Sequence, residues 1–131
     1  MTTTNMRESK KWLKASIVYV RSYNKESINQ NGADEQEKVI RQYADKEGYS
    51  ILKVFRDEAS GKSLKRHSFE EMIDYVRANK GGVKFLLVIN VSRLTCSVAD
   101  YNRIKQFLRA HKIILVSITE SLLREAGKQP K

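Results

Sequence analysis

The run VKFLLVIN at residues 83–90 is nearly continuous apolar sequence and too short for an ordinary helix. A strand with one wet face alternates apolar and polar residues, and this one does not. It reads as a strand covered on both faces, which is the signature of a parallel sheet sandwiched between helices. Three more short runs have the same β-rich character: ASIVYV at 15–20, YSILKVF at 49–55 and KIILVSI at 112–118.

The stretches between these runs are helical in pattern. In residues 34–47, Val39, Ile40, Tyr43 and Ala44 form one apolar face, and Gly48 is a stop. Asp34 followed by Glu37 matches a capping box, and so does Ser68 followed by Glu71. Phe69, Met72, Ile73 and Val76 supply a second helix face, ended by NKGG at 79–82. Tyr101, Ile104, Phe107 and Leu108 mark a third. The order βαβαβαβ predicts a three-layer α/β/α domain with a mainly parallel sheet. Residues 15–120 form that domain, 1–14 a flexible basic arm, and 121–131 a tail or the start of a truncated linker or helix. Tyr49, Tyr75 and Tyr101 are expected as core or half-core aromatics.

At 131 residues the chain suits one domain with a modest core. Lys and Arg number 25 against 15 Asp and Glu, a formal net charge of +10. Such an excess attracts polyanions, duplex DNA foremost. The single cysteine, Cys96, excludes an internal disulfide and fits a reducing, cytoplasmic location. With only two histidines beside it, a structural zinc site has no ligand set. There is no apolar run of the length that spans a membrane.

Parallel sheets bind ligands outside the carboxyl ends of their strands. Arg21, Arg66 and Arg93 lie in or beside those loops. A guanidinium is a permanent charge in a planar fork that fits phosphate oxygens. Three converging on one phosphate would stabilise charge that builds during phosphoryl transfer. Three solvated surface arginines would look the same in sequence. Asp57 and Glu58 fall at the second strand's end, where Asp57 either contributes to a metal site, orients Arg66 or caps a turn. SGKS at 60–63 lacks the preceding glycines of a phosphate-binding loop.

Several of these segments resemble, in order, the catalytic domain of the serine recombinases, the resolvase/invertase group. IVYVRSYN is similar to its first strand with a Tyr-x-Arg ending, here Tyr19 and Arg21. Gln36 stands where that family keeps a glutamine at the first helix. DEASGKSLKRHSFEEM places Asp57, Ser60, Gly61, Arg66, Phe69 and Met72 on the family spacing, and NVSRLTCS places Arg93 on its first loop arginine. The resemblance implies a serine that attacks a DNA phosphodiester, forms a covalent phosphoserine link and releases a 3′-hydroxyl. It also implies arginines that hold the transferring phosphate, a dimer or tetramer of the full-length protein, and no cofactor.

The chain departs from that pattern at the reacting positions. The family's serine lies two residues after the strand arginine, and here that residue is Tyr23, with Ser22 one residue early. Asn24 replaces the threonine that follows. Ser92 stands where an aspartate precedes Arg93, and Cys96 replaces a second loop arginine. Neighbouring residues of a strand face opposite sides, so Ser22 should point away from Arg21. The resemblance with these departures implies a resolvase-like domain that binds the DNA backbone with strand cleavage lost or impaired. An active recombinase using Ser22 or Tyr23, and a non-catalytic protein-interaction module, are the alternatives.

Overall fold

A computed structural model describes residues 14–23, 32–59, 67–95 and 97–127, the side chains of residues 23, 58, 59 and 123–127 excepted. The elements are β1 (Ala15–Tyr23), α1 (Ala33–Glu47), β2 (Ser50–Ala59), α2 (His67–Ala78), β3 (Phe85–Val88), α3 (Val91–Leu94), α4 (Val98–Ala110), β4 (Ile114–Ser117) and α5 (Ile118–Gly127). The four strands form one sheet in the order β2-β1-β3-β4, and every pairing is parallel. The expected three-layer architecture is the one observed.

The layers follow from strand parity. Ile17 and Tyr19 of β1 join Phe55, Leu86, Met72, Val76, Leu94, Ile104 and Leu108 in one core cluster, so α2, α3 and α4 cover that face. Val18 and Val20 join Leu87, Ala33, Ile40, Ala44 and Ile118 in the other, beneath α1 and α5. Residues 17–20 are at most 1% exposed, as a central strand between two helical layers requires. The step from β1 out to β2 uses α1 on one face, and the return across the sheet to β3 uses α2 on the other. Right-handed crossovers demand that switch.

Element ends differ from the sequence expectation in instructive ways. β1 and β2 run on to Tyr23 and Ala59, through polar residues that look like loop. The ladder between them is made of backbone groups and tolerates polar side chains. Conversely, β3 and β4 are only four residues each. Ile118, expected as strand, opens α5. The helix α1 begins at Ala33 with Gly32 as N-cap and no side-chain cap, so Asp34 is not the capping residue. Ser68 does not cap α2 either, because that helix has already started at His67. Gly48 does end α1, with φ 82° and its N–H on the Ala44 carbonyl. Tyr49 and Tyr75 are half-buried against the two clusters, whereas Tyr101 belongs to neither and lies under Lys105 Nζ at 5.3 Å. Among the described residues no helix is long and apolar enough to cross a membrane.

Candidate active site

In the order β2-β1-β3-β4, the chain leaving β1 runs to one side and the chain leaving β3 runs to the other. The carboxyl ends of these two neighbours therefore flank a crevice, the switch point at which open α/β sheets bind ligands. Arg21 lies near the end of β1, and Asn90 to Leu94 follow β3 directly.

The β1 side is organised by Asp57. It is 7% exposed and is the register partner of Arg21 on β2. Its Oδ2 accepts the Tyr19 hydroxyl at 2.7 Å and the Phe69 N–H at 3.1 Å, and its Oδ1 accepts the Ser68 N–H at 2.8 Å. The last two are first-turn amides of α2, where no intrahelical partner exists and negative charge is favoured. One carboxylate thus caps a helix from the neighbouring strand and fixes a phenol in the sheet. The Tyr19 ring also meets the Phe69 ring edge-on, with centroids 5.4 Å apart. Of the sequence alternatives for Asp57, the capping role is observed.

The parity of β1 separates its two candidate side chains. From Ile17 to Tyr23 it pairs with residues 53–59 of β2 without interruption, the only register shift lying between Ser16 and Ile17. Arg21 therefore shares the face of Ile17 and Tyr19, and Ser22 shares that of Val18 and Val20. Ser22 is 1% exposed. At the same level Gln36, from the first turn of α1, donates from Nε2 to the Arg21 carbonyl at 2.9 Å. This contact pins the strand end through its backbone, leaving the guanidinium to the opposite face. Tyr23 closes the strand with its backbone opposite Ala59.

The β3 side is the single turn α3. Asn90 caps it: its Oδ1 accepts the Arg93 N–H at 3.0 Å and the Ser92 hydroxyl at 2.7 Å. Leu94 is fully buried in the cluster that contains Tyr19, and α3 packs against both β1 and β3. Arg93 is half-buried and Ser92 exposed. Capped at one end and anchored at the other, the turn sets the Arg93 backbone beside the crevice.

The fold thus brings the Arg21 and Arg93 positions to one crevice, with Arg21 itself 8% exposed and Asp57 beside it on the neighbouring strand, and sends Ser22 to the other face. Arg66, Ser60, Gly61 and Cys96 lie outside the described residues. Sequence inspection passed over Asn90, whose signal was an Asn three residues before Arg93, a normal N-cap spacing. It also read no job into the Tyr19 hydroxyl, the one polar group in an otherwise apolar run.

Comparison with known proteins agrees with this geometry. The sequence model of the Resolvase, N terminal domain family matches residues 16–130. Among solved structures, the N-terminal catalytic domain of TP901-1 integrase is 26% identical, with a TM-score of 0.71 over 82% of this chain and 80% of that one. A resolvase family site-specific recombinase from Streptococcus pneumoniae is 24% identical, with a TM-score of 0.68 over 81% of this chain and 72% of that one. The C-terminal catalytic domain of ISC1926 TnpA, an IS607-like serine recombinase, shares the fold at 19% identity, with a TM-score of 0.67 over 86% of this chain and 77% of that one. The curated proteins compared contain no match. The chain, matched over almost its whole length, belongs to the resolvase N-terminal domain family.

Proposed function

We propose that this domain serves in site-specific DNA recombination by holding the DNA phosphodiester backbone at the β1/β3 crevice, and that it does not cut the strand through a serine. Arg21 and Arg93, joined by Arg66, are the phosphate ligands. The +10 net charge favours the encounter. Asp57, Gln36 and Asn90 are positioning residues that fix the strand end, the α2 start and the α3 turn. In the full-length assembly, further copies would supply the second half of a DNA site.

The observation that carries the loss of serine chemistry is Ser22 itself, 1% exposed and on the face opposite Arg21. A nucleophile must approach phosphorus in line, and a misplacement of about 1 Å already costs on the order of 10²-fold in rate. By the resemblance, Tyr23 stands at the family's serine position, and a phenol is a much longer side chain than a serine. Cys96 in place of a second loop arginine removes a charge donor, and losing one such donor typically costs about 3–4 kcal/mol of transition-state binding.

A suicide duplex that traps covalent protein–DNA adducts tests this. The wild type binds the duplex, and Arg21→Ala with Arg93→Ala binds it more weakly than a change of two remote lysines does. No adduct forms. An adduct mapped to Ser22 would overturn the parity argument, and one mapped to Tyr23 would make this an active recombinase with a changed nucleophile. Partner capture that survives loss of both arginines, without DNA binding in the wild type, would support the interaction-module alternative.

A further inference from the structure

The carboxyl edge of the sheet holds the candidate active site, yet a row of exposed cations lies along the opposite, amino-terminal edge. Lys80 sits in the turn after α2, Lys84 just before β3, Arg109 near the end of α4, and Lys112 in the turn before β4. Two adjoining clefts open here, one between Lys80, Lys84 and Lys112, the other between Lys105, Arg109 and Lys112. Lys112 belongs to both, and neither lining includes an acid. Among the described residues no ion pair involves Lys80, Lys84, Lys105, Arg109 or Lys112, so these edge cations are not neutralised.

The turn is costly as well as basic. Lys112 has φ 59°, the one non-glycine among the described residues in the left-handed region. Glycine or asparagine would adopt that conformation with less strain. Where a strained position carries a lysine, its charge is a candidate reason for the residue.

The two edges stand well apart. The Lys84 N–H donates to the Ala15 carbonyl at 2.8 Å, so Lys84 is level with the start of β1. Six strand steps separate Ala15 from Arg21, roughly 20 Å at about 3.3 Å each. We infer that the amino-terminal edge, centred on Lys80, Lys84 and Lys112, is a second phosphate-backbone contact surface that holds a separate segment of duplex DNA. This rests on duplex DNA being the ligand of the crevice. A protein partner fits the cleft between the three lysines less well: its apolar lining is Val83 and Ala110, and Val83 is only 2% exposed, whereas the exposed Ile114 belongs to the adjoining cleft. Protein interfaces draw on an apolar centre that this cleft lacks. A duplex needs only a row of cations that displaces counterions.

The test uses the intact protein on beads that carry one duplex, with a second, labelled duplex in solution. The variant Lys80→Gln with Lys84→Gln and Lys112→Gln is compared with the wild type and with Arg21→Ala plus Arg93→Ala. The wild type retains the labelled duplex at low salt. The triple lysine variant keeps its hold on the first duplex but loses retention of the second at least tenfold. Its log-affinity slope against log salt falls by about 2–3, near 0.9 for each lost phosphate contact. Retention of the second duplex equal to wild type in the triple variant overturns the proposal, as does a wild type that binds one duplex and never a second. Unchanged DNA retention with binding of polyglutamate lost in the triple variant would also overturn it and assign the edge to an acidic protein. If the arginine variant binds DNA like the wild type while the lysine variant fails, the crevice assignment falls and the second surface stands.

Discussion

Arg56 and Asp57 are neighbours on β2 and point to opposite faces of the sheet, and they use charge in opposite ways. Arg56 reaches Asp34 at 2.7 Å and Glu37 at 3.3 Å on α1, in a setting where the Asp34 side chain is 92% exposed. Water screens such pairs, and they contribute little to stability. Asp57 is 7% exposed and accepts three hydrogen bonds, from Tyr19, Ser68 and Phe69. Removing it would strand three donors, the phenol in a buried bond and the two amides half-buried, where each costs more than a screened surface pair. Apolar clusters pack both faces; the face of Tyr19 adds a polar network around Asp57, and the other adds ion pairs on its rim. Positional accuracy is built at the carboxyl end of β1, where Asp57 fixes both strand and helix.

The largest effect should come from Asp57→Ala. With the phenol and two helix amides left without an acceptor, we expect a loss of about 3 kcal/mol, read as a lower urea midpoint at unchanged slope. Asp57→Asn, which keeps one acceptor, should fall between that value and wild type. Arg56→Ala should cost less than about 1 kcal/mol, and the difference from wild type should shrink in added salt. Equal losses for Asp57→Ala and Arg56→Ala would break the contrast between the faces.

The smallest effect concerns Tyr49, on the ion-pair side. Burial first, then the neighbouring Tyr43 and Glu47, raise its phenol above the ordinary value of 10.0. Above pH 10 the unfolded chain loses this proton before the folded one does. The contribution is therefore fully present below pH 10 and lost as pH rises through the folded value. Tyrosinate absorbance should show one late-titrating component, and Tyr49→Phe should remove it and flatten the alkaline fall in stability.

The layered architecture was legible because a two-sided strand such as residues 83–90 admits few alternatives. The parity that separates Arg21 from Ser22 was legible too, since it needs only the two-residue period. What the residues concealed was where strands stop. Arg21 and Ser22 on β1, and Arg56 and Asp57 on β2, look like loop, but the backbone ladder carries strand geometry through them. Capping was misread for a related reason. The Asp34 and Glu37 pattern is local, whereas the partner the two share is Arg56, 22 and 19 residues away. Asp57 caps a helix 11 and 12 residues downstream, beyond any local motif. The single turn after β3 escaped because four residues are too few to show a period.

The Asp57 carboxylate has one more consequence. It binds chain on both sides of the segment between β2 and α2, so that segment leaves and returns to a single clasp. The closure is made by the clasp, and the entropy of a tethered loop grows only slowly, by about 0.6 kcal/mol per doubling of length. The length of chain joining β2 to α2 is accordingly only weakly constrained by the sheet. A change of length there would leave the strand and the helix it joins in place.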